Sequence, residues 1–277
     1  MYLVKNFVKE SIIHLFLIIV SVTCVFPLMW MFRASIMTKE TIFTEKTLIP
    51  SSFNWHNFVT AWVKGNFGVY FLNSFFYTVC VVVGIVIISS LAAYAFSRLK
   101  FAGKNFFFYM FVLAMMIPLP GSFVPLVVLM NKLHLVDTRL GYIVCMINVG
   151  LSMSVLLYKT FFDKMSADLE DAARIDGCGK FGIYWNVAMP LAKPVTAVVV
   201  IFNSLSVWNE FILANLILTS DTKLTLQTGL FKFQGANLAD YPVLMAGLTI
   251  AVVPILIVYL LMQKHIIKGL SSGAVVG

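Results

Sequence analysis

Residues Gly65 to Ser97 read GNFGVYFLNSFFYTVCVVVGIVIISSLAAYAFS, a run of 33 positions without a charged residue. An α-helix needs about 20 apolar residues to cross a hydrocarbon core about 30 Å thick, so this run can span a membrane. The whole 277-residue chain has the same character, with 60% hydrophobic and 12% charged residues and a mean hydropathy of +0.93. Soluble domains carry about 25% charged residues. The composition therefore excludes a soluble globular enzyme, and with 14% aromatic residues it also excludes a disordered chain.

Five further stretches are nearly free of charge and long enough to form membrane helices. The sequence therefore predicts an all-α, polytopic membrane protein with six transmembrane helices in a single transmembrane domain. The predicted spans cover residues 12–31, 71–97, 106–130, 140–158, 195–218 and 242–263. We expect Pro118, Pro120 and Pro125 to kink or break the third span.

The first span has a signal peptide as its alternative interpretation, since Lys5 and Lys9 precede it. Its apolar run exceeds the usual length of about 7 to 15 residues, and no small-x-small cleavage site follows Met31 before Arg33. We interpret it as an uncleaved anchor, which with six spans places both termini in the cytoplasm. The predicted inner segments then hold twelve of the twenty Lys and Arg residues, in the sense of the positive-inside rule.

The sequence offers little support for a disulfide, a metal site or nucleic-acid binding. Its four cysteines are scattered over predicted spans and one inner loop: Cys24, Cys80, Cys145 and Cys178. It contains no Cys-x-x-Cys or HExxH motif, and its four histidines lie far apart. The net charge of +8 suits anionic membrane lipid, and no basic stripe interleaved with aromatic residues suggests nucleic acid.

The loop between the fourth and fifth spans, residues 163–190, has the features of a short helix. Ser166 is a predicted N-cap, and Gly177 suits the left-handed position after a helix. Four residues would share one face: Met165, Leu169, Ala172 and Ala173. Glu170 and Arg174 would pair on another face. A second amphipathic stretch follows and ends at Pro190, with a face made of Phe181, Tyr184, Trp185 and Ala188.

The same loop carries a motif at fixed spacing. Asp171-Ala172-Ala173 is followed after three residues by Gly177, and after nine more by Val187-Ala188-Met189-Pro190. This motif resembles the EAA loop of ATP-binding-cassette (ABC) importer permeases, which reads Glu-Ala-Ala, three residues, Gly, nine residues, an aliphatic residue, any residue, Leu-Pro. Asp for Glu, Val for Ile and Met for Leu are close chemical replacements. An ordinary amphipathic connector is the alternative, but the complete motif in the loop before the penultimate span favours the resemblance.

The resemblance covers nearly the whole chain and points to the carbohydrate-uptake branch, typified by the maltose permeases. Further short matches are Ile49-Pro50, Trp55 to Phe58, Asn73-Ser74, Phe101-Ala102-Gly103, Trp208-Asn209-Glu210 and the tail Gly269 to Gly277. It implies a permease subunit of a bacterial importer, in the cytoplasmic membrane, that moves a sugar or oligosaccharide by alternating access. The implied partners are a second homologous permease, a homodimeric cytoplasmic ATPase and an extracytoplasmic solute-binding protein. That ATPase would bind ATP and Mg²⁺, and this chain, which has no GxxxxGKS/T phosphate loop, is expected to be neither an enzyme nor a cofactor protein.

The resemblance also implies that the 163–190 loop docks in a cleft of the ATPase. The coupling residues would be Glu170, Asp171, Ala172, Ala173, Asp176, Gly177 and Pro190. We expect the face of Ala172 and Ala173 to lie in the cleft and Gly177 to permit a sharp exit from the helix. Asp171 has a shorter side chain than the Glu of the motif, so Glu170 would make any contact that needs the longer side chain.

Polar residues inside the predicted spans are candidates for the translocation pathway: Asn73, Asn148, Asn203, Trp208, Asn209 and Glu210. Any of the amides can instead join helices. Glu210, the one acid in a span, either packs against a neighbour, lines the pathway or carries a proton, and no second membrane acid or base supports the last role. Two other functions stay open, an importer permease for another solute such as a polyamine or phosphate, and an autonomous secondary transporter. The latter predicts inverted repeats and coupling-ion residues, which we do not find in the sequence.

Overall fold

The computed structural model describes residues 2–47, 49–117, 119–236 and 240–274, and every regular element in those ranges is helical. The predicted all-α class is therefore confirmed. Pro118 and the last three residues of the tail motif lie outside the described residues. The helices are α1 (Tyr2–Ser35), α2 (Thr41–Thr44), α3 (His56–Val63), α4 (Phe67–Arg98), α5 (Lys104–Ala114), α6 (Leu119–Lys132), α7 (Arg139–Lys164), α8 (Ala167–Ile175), α9 (Lys180–Ile183), α10 (Met189–Leu191), α11 (Lys193–Asn209), α12 (Ile212–Ile217), α13 (Leu226–Ala236) and α14 (Tyr241–Ala274).

Within the described ranges, four helices are long and apolar enough to cross a membrane. They are residues 10–35 of α1, the whole of α4 and α7, and residues 241–260 of α14. These helices contain the first, second, fourth and sixth predicted spans. A helix pair, Lys180–Leu191 and α11, has the same apolar character but is bent by 75°. The chain is a multi-pass membrane protein, while six spans with cytoplasmic ends stay a prediction.

The predicted third span is not one continuous helix. α5 ends at Ala114, turns follow from Met115 to Ile117, and α6 begins at Leu119. Both helices are apolar but shorter than a membrane span. The break lies in the proline-rich segment, where the missing N–H and the ring of proline disfavour a continuing helix. Pro125, in contrast, lies inside α6 without ending it.

The predicted fifth span is also interrupted, so a single helix over 195–218 is wrong. α11 ends at Asn209, and Glu210 has extended backbone angles (φ −69°, ψ 128°) before α12 begins at Ile212. The Glu210 carboxylate accepts hydrogen bonds from the amide nitrogens of Leu213 (2.6 Å) and Ala214 (2.8 Å). N–H groups in the first turn of a helix have no helical carbonyl partner, so the carboxylate stabilises a new helix start at this position.

Contacts divide the chain into two compact units, Met1–Gly68 with Gly229–Val253 and Val69–Thr228 with Pro254–Gly277. In the first unit, the loop after α1 is tied to the end of that helix. Buried Arg33 donates from Nε to the carbonyl of Thr47 and from Nη2 to that of Glu45, both at 2.8 Å. Buried Asn57 donates to the carbonyls of Ser35 and Met37.

In the second unit, α4, α7 and α11 pack closely around Gly150. A Cβ atom at Gly150 would lie 2.1 Å from Oδ1 of Asn203 and 2.5 Å from Cδ1 of Ile85. Asn203 itself donates from Nδ2 to Ser154 Oγ (3.0 Å) and to the carbonyl of Val199 (2.8 Å). The glycine therefore permits an approach in which a buried amide joins α11 to α7.

A polar cluster ties the loop after α6 to the loop after α12. Asp137, whose φ is +52°, accepts hydrogen bonds through Oδ1 from the backbone amides of Thr219 (3.0 Å) and Ser220 (2.9 Å). Its Oδ2 accepts from Ser220 Oγ and from Lys223 Nζ, the latter at 2.9 Å. The Ser220 hydroxyl, together with the two amides and Lys223, holds the pKa of Asp137 well below its usual range.

Candidate coupling loop and pathway groove

The two ends of α8 form as the local sequence predicts. Ser166 Oγ accepts a hydrogen bond from the amide of Asp168 at 3.2 Å, which satisfies a first-turn N–H. After the helix, Gly177 has a φ of +81°, and the amides of Gly177 and Cys178 donate to the carbonyls of Arg174 and Ala173. A Cβ at Gly177 would meet no atom within 4 Å. Glycine is needed here for its backbone conformation and not for space.

The buried face of α8 differs from the predicted face. Glu170 and Ala173 are buried against the rest of the chain, at 5% and 7% exposure. Leu169 and Ala172 are exposed, and Ile175 is 87% exposed. We expected Ala172 and Ala173 to lie together on one docking surface. This expectation is corrected, because Ala173 is buried beside Glu170 and only Ala172 is exposed. The exposed side of α8 carries Leu169, Ala172 and Ile175, which we name the exposed docking surface after the role expected for this helix.

Glu170 is held by Arg98, at the cytoplasmic end of α4 in the predicted topology. Arg98 Nε lies 3.1 Å from Glu170 Oε1, and the two side chains are 15% and 6% exposed. The Nη2 group of Arg98 also donates to the carbonyls of Phe162 and Met165 at the end of α7. Glu170 is thus engaged within its own chain, and its expected service in place of the motif's Glu at position 171 stays a prediction.

The second half of the loop is a helical path with a sharp bend. α9 continues through a π-helical turn, Tyr184–Ala188, into α10, which contains Pro190 and ends at Leu191. The helix therefore continues one residue past the proline predicted to end it. The predicted aromatic face is divided, because Tyr184 is buried, with its hydroxyl 2.8 Å from Ser90 Oγ, while Phe181 and Trp185 are exposed.

A groove of about 350 Å³ lies among α6, α7, α11 and α12. Four polar residues line it, and two of them, Asn148 and Glu210, are predicted pathway residues. The other two, Ser122 and Ser206, were not predicted, although Ser206 precedes Glu210 by one helical turn. The apolar part of the lining includes Phe123, Leu126, Leu129, Met146 and Leu213. Among the described lining residues, Glu210 is the single charged one.

The other predicted pathway residues lie elsewhere. Asn73 is buried and donates to the carbonyls of Thr222 (2.9 Å) and Leu224 (3.1 Å), while its Oδ1 accepts from Arg139 Nη2 (3.0 Å). Asn73 and Asn203 therefore join parts of the fold by hydrogen bonds, which was the alternative interpretation of the amides in the predicted spans.

Trp208 and Asn209, which directly precede Glu210 in the sequence, also lie outside the groove. Trp208 packs edge-to-face on Phe71 at 5.5 Å and lines a separate apolar cavity of about 490 Å³. Asn209 is exposed and donates to the carbonyl of Leu205.

The family model described as "Binding-protein-dependent transport system inner membrane component" matches residues 84–272, about two thirds of the chain. This range includes α8, the Arg98–Glu170 pair and the groove. The chain belongs to this family. It is therefore the permease of an ABC importer, a membrane transport component and not a catalytic subunit.

Related permeases align with nearly the full length of this one. The permease is 34% identical over 273 residues to the "Probable ABC transporter permease protein YurM" of Bacillus subtilis, covering 99% of this chain and 91% of the relative. It is 30% identical over 265 residues to the "Diacetylchitobiose uptake system permease protein NgcG" of Streptomyces coelicolor, covering 95% and 88% of the two chains.

A solved structure has the same fold. It is that of "a bacterial ABC transporter involved in the import of the acidic polysaccharide alginate", with a TM-score of 0.83 and 26% identity. The match covers 94% of this permease and 97% of that chain. The likeness therefore extends over nearly the whole chain and is not restricted to the 163–190 loop.

Proposed function

We propose that this permease forms one wall of the pathway through which an ATP-driven importer moves a neutral sugar or oligosaccharide into the cytoplasm of a bacterium. The observation that carries the proposal is the lining of the groove, which combines hydroxyl, amide and carboxylate groups with aromatic and aliphatic side chains. Sugar hydroxyls both donate and accept hydrogen bonds, so they match such a lining. The diacetylchitobiose-uptake relative supports a saccharide as the solute, and the alginate transporter shows that the same fold also serves a saccharide importer, although its own solute is acidic.

The charge of the groove favours a neutral solute. Its described lining contains no Lys, Arg or His, and its one acid already accepts two backbone hydrogen bonds. A phosphate or an acidic saccharide that leaves water needs cationic or N–H donors to offset its desolvation. A polyamine needs several carboxylates for the same reason. Neither set of partners is present among the lining residues, so polyamine and phosphate are the less favoured solutes.

The exposed docking surface of α8 supports a partner ATPase. Ile175 is an apolar residue left 87% exposed at the end of a short helix that also exposes Leu169, and burying both against a partner would remove apolar area from water. We propose that a homodimeric cytoplasmic ATPase, which binds ATP and Mg²⁺, docks here. A second homologous permease would supply the other wall of the pathway, and an extracytoplasmic solute-binding protein would deliver the solute. Closure of the ATPase would then move the membrane helices as rigid bodies.

The test begins with the tagged permease purified in mild detergent from its native bacterial membrane, with mass spectrometry of the proteins that accompany it. The recovered complex is placed in proteoliposomes, and uptake of neutral oligosaccharides, alginate oligomers, phosphate and putrescine is compared with and without ATP. We expect an ATPase and a second permease to co-purify and a neutral oligosaccharide to be taken up with ATP.

Two results would contradict the proposal. Uptake of phosphate, putrescine or alginate in preference to neutral saccharides would overturn the assigned solute class. Transport by the permease purified alone, driven by an ion gradient without ATP, would overturn the importer assignment in favour of a secondary transporter.

A further inference from the structure

Arg98 joins three segments of the permease at one point. It is the last residue of α4, its Nε lies 3.1 Å from the Glu170 carboxylate of α8, and its Nη2 donates to the carbonyls of Phe162 and Met165. Those carbonyls lie at the C-terminal end of α7, where backbone acceptors lack the i+4 partners of a helix interior. A cation at this end is favoured by the helix dipole as well. The Arg98 side chain therefore caps the C-terminal end of α7 and also contacts α8.

The attachment of α8 to its own chain depends on few groups. Its only described buried residues are Glu170 and Ala173, and alanine contributes little apolar area. Arg174 also approaches Glu170, at 3.6 Å, but this side chain is 59% exposed and belongs to the same helix. The charge contact between α8 and a membrane helix is thus the Arg98–Glu170 pair, in which Glu170 is buried and the Arg98 side chain is 15% exposed.

A buried pair of this kind resists separation. Pulling α8 away from α4 would leave the buried Glu170 carboxylate without its Arg98 partner, while Arg98 keeps its bonds to the end of α7. Removing the partner of a buried charge is unfavourable. Exposed pairs, by comparison, contribute little. A force applied to the outer side of α8 therefore reaches the ends of α4 and α7 before the pair opens.

We propose that Arg98 is the positioning residue that makes α8, α4 and α7 move as one body, so that motion of a protein docked on α8 is passed to the membrane helices through the Arg98–Glu170 pair. The inference rests on the proposed coupling role of α8. Without the pair, an ATPase still docks on Leu169, Ala172 and Ile175, but its closure moves α8 alone. ATP is then hydrolysed without matching solute uptake.

The test uses the complete importer in proteoliposomes and measures three quantities, namely co-purified ATPase, ATP hydrolysis and solute uptake. The variants are Arg98→Met, Glu170→Gln and the conservative Arg98→Lys. The control is Lys159→Ala, which removes an ion pair with Asp163 at the same end of α7 (2.6 Å) that does not touch α8. We expect Arg98→Met and Glu170→Gln to retain the ATPase while uptake per ATP falls at least tenfold. Arg98→Lys should recover part of the loss, and the control should match the parent protein.

A cross-link separates a mechanical role from a contribution to folding. In a background without the native cysteines, the Arg98→Cys, Glu170→Cys double variant should be uncoupled like Arg98→Met. A short bis-methanethiosulfonate reagent forms a disulfide with each of the two cysteines and releases methanesulfinate. This bridge should raise uptake per ATP severalfold, and reduction of its disulfides should reverse the gain. Recovery of uptake per ATP through a covalent link supports a mechanical connection. An ion pair that only stabilises the fold would not lead to this recovery.

Two failures are distinguishable. If the parent permease brings no ATPase with it, the proposed function fails, and this inference fails with it. If the parent importer is coupled and the Arg98→Met and Glu170→Gln variants keep its uptake per ATP, the inference is overturned while the proposed function stands.

Discussion

The carboxylate of Glu210 stabilises the start of the helix that contains Leu213, since its Oε1 accepts a hydrogen bond from the Leu213 amide at 2.6 Å. The other carboxylate oxygen accepts from Ala214, so both oxygens are used in shaping the backbone. The same residue lines the groove beside Asn148. The acid that the sequence places inside a membrane helix therefore lies at a break between two helices, where its charge is stabilised by backbone N–H groups.

Replacing Glu210 should reveal this structural role. Glu210→Ala leaves two first-turn N–H groups without their acceptor, and we expect a loss of about 1–2 kcal/mol of stability. Glu210→Gln keeps one carbonyl acceptor and should lose less. Thermal unfolding of the purified permease in detergent measures both. Asn209→Ala is the matched control, because Asn209 is exposed and bonds only within its own helix in the described structure; a loss as large as that of Glu210→Ala would contradict the prediction.

Gly177 should be sensitive because of its backbone conformation. Gly177→Val forces a β-branched residue to adopt a φ of +81°, at a cost of about 1–2 kcal/mol, although no atom lies in the way. We expect unchanged insertion and a loss of transport-coupled ATP hydrolysis. Gly177→Asn, which tolerates the left-handed region, should retain most of the activity.

Gly179→Val is the control for Gly177. A Cβ at Gly179 also meets no atom within 4 Å, but its φ is −71°. The two substitutions therefore differ mainly in backbone strain. Equal losses of coupled hydrolysis at both positions would show that the left-handed conformation is not the cause.

The Asp137 cluster predicts a specific pH dependence of stability. Because hydrogen bonds, first that of Ser220, hold the pKa of Asp137 well below the unfolded value of about 3.9, the charged form stabilises the folded state. The contribution is complete above the unfolded pKa and is lost as the pH falls below it towards the folded pKa. Thermal unfolding from pH 7 to pH 3 should show the loss of this contribution only near the acid end of the range.

Two variants test the Asp137 prediction. Asp137→Asn should lower the unfolding temperature at pH 7 and reduce its dependence on pH below about 4. Ser220→Ala removes the hydrogen bond that lowers the pKa of Asp137 most and should give an intermediate result. An unchanged acid profile in Asp137→Asn would mean that this carboxylate does not contribute.

Close packing at Gly150 can be tested with one methyl group. Gly150→Ala would place Cβ 2.1 Å from Oδ1 of Asn203 and 2.5 Å from Cδ1 of Ile85, so these side chains must shift, at a cost of about 1–3 kcal/mol. Gly121→Ala, in α6, meets no atom within 4 Å and should be neutral or slightly stabilising. Unfolding temperatures of the two variants in the same detergent provide the comparison. A similar temperature for both would argue against the observed helix approach.

Features that depend on neighbouring residues were predictable from the sequence. The apolar runs predict α1, α4, α7 and α14, because hydropathy is a property of each segment and of the bilayer. Ser166 and Gly177 predict the ends of α8, since the cap and the left-handed position involve bonds between residues a few positions apart. The proline-rich segment predicts the interruption between α5 and α6 for the same reason. The fixed spacing in the 163–190 loop also indicated the family.

The tertiary structure decided how the polar side chains are used. Whether Asn203 faces a pathway or a neighbouring helix depends on Ser154, far along the chain. Glu170 could be placed on an exposed face by helical period alone, and its burial follows from Arg98, at the end of another helix. The sequence by itself determined a membrane-spanning permease with a short helix in its main loop. The choice of partner for each buried amide and charge was decided by packing, because such groups must be satisfied by whichever donors and acceptors the folded chain brings next to them.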